Sequence, residues 1–259
     1  MTASRVVTAE FFDGIYRAYE KSPNLRVLLR SALDEGLPIE VEPYSFVTMD
    51  ALREITERLR PAAGELLADL ACGRGGPGMW VARSTGARVV GVDFSAVAVA
   101  QATARRGAFQ LGDRAEFRIG RLEATRLAEA QVDALMCVDS LQFSGVPELV
   151  AREAWRILRP GGRAVVTTWE AREKGDPAVP DAYSRLDVGR LLRAAGFTDV
   201  EVAERPEWHQ RERAVFQRAL DTEPGDDPAL QQLRSEAGRV IPVMPRVRRV
   251  IASAVKGRK

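Results

Sequence analysis

The sequence predicts an α/β protein built on a doubly wound, mostly parallel sheet of seven strands with helical cap elements. Three observations carry that reading. From residue 66 onward, apolar runs of strand length alternate with helical patterns, the signature of strands joined by crossover helices. The first of these runs, 66–71, meets Gly73, Gly75, Gly76 and Gly78 and reopens as a helix. A chain of 259 residues with 46% hydrophobic content is long enough to bury a full core.

The elements follow in order. Residues 1–60 read as an N-terminal helical cap. Within it, 10–21 carries Phe11, Phe12, Ile15, Tyr16 and Tyr19 at helical spacing, 24–33 follows a Ser22-Pro23 break, and 49–59 starts at Thr48 or Asp50 as N-cap. Between them lie Pro38, Pro43, Tyr44 and Phe46, aromatics suited to packing or to lining a pocket. The core spans 61–205. Its glycine turn lets the backbone bend sharply and lie close to a ligand, and Pro77 suits the first helical position. The helix start directs free N–H groups and partial positive charge at the turn, where a phosphate or a carboxylate would sit. Helices at 79–84, 95–106, 148–158 and 188–195 alternate with strands at 88–92, 115–119, 134–138, 164–168 and 200–203. Residues 206–247 break the alternation with helical patterns at 212–220 and 228–237, a second cap element. Residues 248–259 hold the last strand, 250–255, which follows an insertion rather than a crossover helix and is expected to run antiparallel beside its neighbour.

Composition excludes several classes. Thirty-eight basic against thirty-six acidic residues leave a net charge of +2, too balanced for bulk nucleic-acid or membrane binding. The basic C-terminal residues, among them Arg246, Arg248, Arg249, Lys256, Arg258 and Lys259, read as a solubilised strand edge or tail, with an RNA contact as the alternative. Cys72 and Cys137 have no second cysteine or histidine at metal-ligand spacing, so no metal is expected and a reduced, cytoplasmic chain is the simplest reading. No apolar signal follows Met1 and no apolar run reaches membrane-spanning length. The expected partner is a small molecule, and the expected state a monomer or homodimer.

In parallel sheets of this kind, ligands bind beyond the strand C-termini at the topological switch point. Gly73-x-Gly75-x-x-Gly78 satisfies the dinucleotide-binding pattern, and Asp93 closes the second strand twenty residues after Gly73. Asp69, before the glycines, and the turn Leu158-Arg159-Pro160-Gly161-Gly162, before the fifth strand, argue against a nicotinamide cofactor, as does the lack of a Tyr-x-x-x-Lys pair. Four stretches, 66–78 with Asp69 and the glycines, 90–95 with Asp93, 133–143 over the fourth strand and its end, and 158–162, resemble the ordered motifs of the class I S-adenosylmethionine-dependent methyltransferases. The resemblance runs from about residue 66 to 202 and is strongest to small-molecule enzymes of bacterial secondary metabolism. It implies a Rossmann-like fold and S-adenosylmethionine as cofactor.

Carried over residue by residue, the resemblance assigns Asp69 and the backbone of Ala71, Gly73 and Gly75 to the amino-acid end of the cofactor. It assigns Asp93 to the ribose hydroxyls and Phe94 to the adenine. An acidic residue directly after the third-strand glycine is missing, because Arg121 follows Gly120, so Leu122 and Glu123 are the expected adenine contacts. Similar sugar and polyketide enzymes commonly carry a histidine after the fourth strand. This chain reads Asp139-Ser140-Leu141-Gln142-Phe143, and Gln142 cannot take a proton. Asp139, as a contact to cofactor or acceptor, and His209, the sole histidine, are the catalytic candidates. Tyr16, Phe46, Gln142, Trp169 and Trp208 are the expected acceptor contacts. The implied activity is methyl transfer to oxygen, nitrogen or carbon; the alternatives are a non-methylating cyclisation on the same fold and a nucleic-acid methyltransferase.

Overall fold

A computed structural model describes residues 8–42 and 45–258; Pro43, Tyr44 and Lys259, named above, lie outside the described residues. The chain opens with α1 (Ala9–Lys21), α2 (Pro23–Leu33) and α3 (Met49–Leu59), each started by a hydroxyl side chain that accepts from a backbone N–H: Thr8, Ser22 and Thr48. Thr48, not Asp50, is therefore the N-cap of α3. The core then alternates β1 (Leu66–Leu70), α4 (Gly76–Thr85), β2 (Arg88–Asp93), α5 (Ala96–Arg105), β3 (Ala115–Ile119), β4 (Val132–Val138), α6 (Pro147–Ile157) and β5 (Leu158–Ala171). A short α7 (Asp181–Ser184), α8 (Val188–Ala194), β6 (Phe197–Glu204), α9 (Pro206–Asp221), α10 (Pro228–Val240) and β7 (Val247–Lys256) complete it.

The seven strands form one sheet in the order β3-β2-β1-β4-β5-β7-β6. The β1 to β5 ladders are parallel, and β7 runs antiparallel between β5 and β6. Strand order reverses between β1 and β4, so the switch point lies at their adjacent C-termini. Two expectations change here. The turn read at 158–162 is a bulge inside a continuous β5: Val132 pairs with Leu158 and Ala134 with Arg163, and Gly161 at φ +80° takes up the excess chain. The basic run near the C-terminus is no exposed edge, because β7 is interior and Arg249 is 1% exposed.

Apolar side chains fill both faces of the sheet. On one face α6 and α8 supply Val150, Ile157 and Leu191 against Leu70, Leu135 and Val250. On the other, α3 and α4 supply Ile55, Leu59 and Met79 against Leu67, Met136 and Val165, which places α3 in the layer under the sheet rather than over its end. A third core joins Leu25, Leu28 and Leu33 of α2 to Val215 and Phe216 of α9 and Leu230 and Leu233 of α10. The cap is thus assembled from the two ends of the sequence. Ser22 at the start of α2 donates to Asp227 Oδ2 at 2.6 Å, and Asp227 itself caps α10.

Candidate active site

At the β1/β4 switch point the backbone departs from ordinary geometry twice. Ala71 (φ +54°) and Asp139 (φ +53°), each just past a central strand, occupy the left-handed region that L-residues with a Cβ rarely adopt. Between this rim and the cap lies a cavity of about 420 Å³. Asp69, Ala71, Gly73, Asp93 and Phe94 line its floor at the ends of β1 and β2. Leu122 and Glu123 line it after β3, and Asp139, Gln142 and Trp169 after β4 and on β5. Tyr16 of α1 and Phe46 close it from the cap.

The glycine turn holds two carboxylates close together. Asp93 Oδ2 accepts from Gly73 N at 2.8 Å and Oδ1 from Ser95 N at 2.9 Å, so the turn and the start of α5 are tied to the end of β2. Burial pushes the Asp93 carboxyl up to about 6, with the backbone N–H groups of Ser95, Gly73 and Phe94 holding it back. Asp69 is 2% exposed and its Oδ2 has no hydrogen-bond partner among the described residues. Burial, then the Asp93 charge, push its carboxyl up to about 7 against the Gly78 N–H. A Cβ at Gly78 would collide with the Asp69 carboxyl, so the third glycine admits Asp69 to the helix start. The anion that the open N-terminus of α4 attracts is, in part, this side chain.

The helix α1 lies across the cavity. Phe12 packs against Phe94 and Phe143 with ring centroids 5.5 Å away in each case, and Asp13 Oδ1 accepts from Ser95 Oγ and, at 3.3 Å, from Val97 N. Glu123 accepts from Ser144 Oγ at 2.5 Å and lies 3.6 Å from Arg121 Nε, bridging the loops after β3 and β4.

Beyond Asp139 the wall is a buried polar network. Thr167 Oγ1 donates to Asp139 Oδ1 at 2.7 Å, and Arg249 Nη2 pairs with Asp139 Oδ2. The same guanidinium reaches Glu212 Oε2 at 3.1 Å and stacks 4.7 Å over the Trp169 ring, whose Nε1 donates to Glu212 Oε2 at 2.9 Å. Gln142 Nε2 donates to the Asp139 carbonyl at 2.7 Å. Both Asp139 oxygens are therefore engaged inside the protein, and the residue anchors the rim. Burial pushes the Glu212 carboxyl up to about 7, with Arg249 opposing and Asp139 adding.

Three of the expected residues stand away from the cavity. Gly75 (φ +74°) caps α4 and faces Phe117 and Ala102, where a Cβ would clash. Trp208, in the first turn of α9, is buried in the same cluster as Ile55, Val165 and Ile251. His209 Nε2 lies 3.1 Å from the Met244 carbonyl, and burial lowers its pKa. The chain does emerge at the active rim after β6, but the first turn of α9 directs these two side chains to packing and to the Met244 loop. One turn beyond Trp208, Glu212 is the residue that reaches the cavity. In the sequence Glu212 is not distinguished, and Arg249 reads only as part of the basic C-terminal run. The available signal was a charged residue on the apolar stripe Trp208, Val215, Phe216, Ala219, and an arginine inside a β-branched run.

The donors present suit S-adenosylmethionine: an unsatisfied buried carboxylate for an ammonium, a second carboxylate at a strand end for hydroxyls, and the Phe94 ring with Leu122 and Glu123 for a base. Among the described residues no group of three or more His, Cys, Asp or Glu could hold a metal ion, and no helix is long and apolar enough to cross a membrane.

Residues 68–166 match the family model of a methyltransferase domain. With the sheet order, glycine turn and paired carboxylates, this supports a core of the class I S-adenosylmethionine-dependent methyltransferase type, with S-adenosylmethionine as the cofactor its donors suit. Methyltransferase GfsG of Streptomyces halstedii is 27% identical over 193 residues, 73% of this chain and 64% of that protein. Sterol 24-C-methyltransferase ERG6 of Saccharomyces cerevisiae is 29% identical over 118 residues, 46% of this chain and 31% of that one. The chain thus spans less than two thirds of the length of these relatives. In fold it is similar to the [4+2]-cyclase SpnF (TM-score 0.70, 21% identity, 97% of both chains). It is also similar to phosphoethanolamine N-methyltransferase 2 of Haemonchus contortus with phosphomonomethylethanolamine and S-adenosylhomocysteine bound (TM-score 0.72, 16% identity, 98% of this chain and 61% of that one).

Proposed function

We propose that this chain transfers a methyl group from S-adenosylmethionine to a small-molecule acceptor held beneath the cap. The observation that carries the reading is one continuous cavity joining the Asp69 and Asp93 carboxylates at the strand ends to an apolar chamber under α2, α9 and α10. When bound, the cofactor supplies an electrophilic methyl group on a sulfonium sulfur. Asp93 would accept from the ribose hydroxyls, Asp69 from the ammonium, and Phe94, Leu122 and Glu123 would bracket the adenine. The task left to the protein is to hold acceptor and methyl in line and to keep water out, which α1 and the cap helices suit. Gln142 cannot act as a base and His209 faces the Met244 carbonyl, so on this reading neither is the base. The reading extends to a secondary metabolite as acceptor, supported by similarity to GfsG and to 27-O-demethylrifamycin SV methyltransferase of Amycolatopsis mediterranei, 30% identical over 118 residues, 44% of this chain and 43% of that one. It extends also to a cytoplasmic setting, supported by two free, buried cysteines.

Isothermal titration with S-adenosylmethionine and S-adenosylhomocysteine tests the proposal: one site for each is expected, and a folded protein that binds neither would overturn it. A second reading keeps the cofactor but drops the transfer, with the capped chamber directing a cyclisation. Its support is the glutamine where a histidine base is common in similar enzymes, together with the end-to-end likeness to a cyclase. Cofactor labelled in the methyl group separates the two. Label in the product supports transfer, and product without label supports cyclisation.

A further inference from the structure

The wall of the cavity supplied by the cap differs in kind from its floor. Leu25 and Leu29 of α2, Phe216 of α9, Leu233 and Val240 of α10, and Phe46 make it apolar. Two charged side chains interrupt it, Glu212 of α9 and Glu236 of α10, and no cation lines that wall. The cationic residues lining the cavity, Arg74 and Arg121, belong to the glycine turn and the loop after β3, and each already faces a carboxylate: Arg74 lies 3.1 Å from Glu42 and Arg121 3.6 Å from Glu123.

Glu42, which lines the cavity beside Arg74 of the glycine turn, shows what a matched carboxylate looks like here. Arg74, Arg105 and Arg26 surround it at 3.1, 3.6 and 3.8 Å. Glu212 and Glu236 are not matched. Glu212 is 2% exposed and shares the single Arg249 with Asp139, so two buried carboxylates face one guanidinium. Both of its bonds fall on Oε2, leaving Oε1 without a hydrogen-bond partner among the described residues. Glu236 forms no hydrogen bond or ion pair with another described residue, although it lines the cavity among apolar side chains; burial raises its pKa, with Arg239 opposing. Tyr183 lies close enough to both acids that, after burial, each disfavours its ionisation. Carboxylates held in apolar surroundings without a counter-charge are costly unless a partner arrives.

We propose that the cap side of this cavity recognises a protonated amine carried on an apolar molecule, with Glu212 Oε1 and Glu236 as the anionic partners of the ammonium and the rings of Phe46, Phe216 and Tyr183 around its body. The proposal rests on the methyltransferase reading and specifies its acceptor class. An ammonium supplies the missing counter-charge, and aromatic faces favour it further. A phosphate or carboxylate on the acceptor would meet two acids and no cation on that wall.

The test uses the full chain saturated with S-adenosylhomocysteine and three probes of matched shape: phenylbutylamine, phenylbutanol and phenylbutanoate. By isothermal titration the amine is expected to bind at least about tenfold more tightly than the alcohol, the scale of one charge-assisted hydrogen bond, and the carboxylate more weakly than the alcohol. Glu236→Gln and Glu212→Gln should each reduce amine affinity toward that of the alcohol and leave alcohol affinity unchanged. Equal binding of amine and alcohol, a preference for the carboxylate, no binding of any probe, or an amine preference that survives both substitutions would overturn the proposal. Affinity for S-adenosylhomocysteine, measured on the same samples, separates the two levels. Its absence in the wild-type protein would refute the methyltransferase reading, whereas its presence without an amine preference would refute the acceptor class alone. Glu236→Gln alters a partly exposed helix position, so it keeps the test intact should Glu212→Gln fail to fold.

Discussion

Four of the carboxyls that line the cavity, Asp69, Asp93, Glu212 and Glu236, are pushed up by burial, the first three to about 7, 6 and 7. A carboxyl raised in the folded state favours folding below its unfolded value of about 4, and that contribution is lost as pH rises through the folded value. His209, lowered by burial, acts in the opposite sense around its ordinary value, while the lowered carboxyls Glu54 and Glu153 titrate below this window. With four groups against one, the ligand-free protein is expected to have a lower urea midpoint at about pH 8 than at about pH 5, and Asp69→Asn should flatten the fall. A midpoint that falls equally in the variant would show that Asp69 is not held as described. Asp93→Ala removes the acceptor of both the Gly73 and Ser95 N–H groups and, on the proposed reading, the ribose contact. Titration should show cofactor affinity reduced about 10- to 100-fold, from the loss of two or more hydrogen bonds.

At the scale of elements, two pieces decide whether the cavity stays closed. One is α1, fastened by Asp13 to the start of α5. Asp13→Ala should cost about 1–2 kcal/mol in urea unfolding and expose the α1–α2 region to limited proteolysis, with weaker retention of S-adenosylhomocysteine. The other is β7, whose Arg249 lies between Asp139 and Glu212. Arg249→Met would leave two buried carboxylates without a counter-charge, a change expected to destabilise by about 3–5 kcal/mol. A loss under 1 kcal/mol would mean that the pair is solvated. Neither element could be placed from the chain alone. Helical periodicity marked α1 as amphipathic but not what its apolar face would cover. The arginines of β7 read as edge solubilisation because nothing local records that β7 is inserted between β5 and β6. His209 and Trp208 failed to reach the cavity for a similar reason: the chain's exit point was inferred correctly, but the rotation of α9 is set by its packing on α2, α10 and β7.

For the whole molecule, the sheet was legible because its determinants are local: apolar runs of strand length, glycines that mark the turn, and an acid closing β2. The antiparallel last strand was legible from the insertion before it. The residues proposed for the cofactor were legible as a group, since Asp69, Gly73 and Asp93 are placed by their own strands. The chamber proposed for the acceptor was far less legible. It is built from α2, α9 and α10, segments about 200 residues apart that meet in one apolar core, and which of their side chains turn inward is a property of that packing. Glu212 and Glu236 therefore emerge only when the cap is assembled over the sheet. The central claim is that cofactor and acceptor share one cavity across the β1/β4 switch point. A crystal structure of the complex with S-adenosylhomocysteine tests it most directly: the ribose should lie on Asp93, the amino group on Asp69, and the sulfur should face Gln142, Trp169 and Glu212. A nucleoside seated anywhere but on Asp93, or a sulfur turned away from the chamber under the cap, would contradict it.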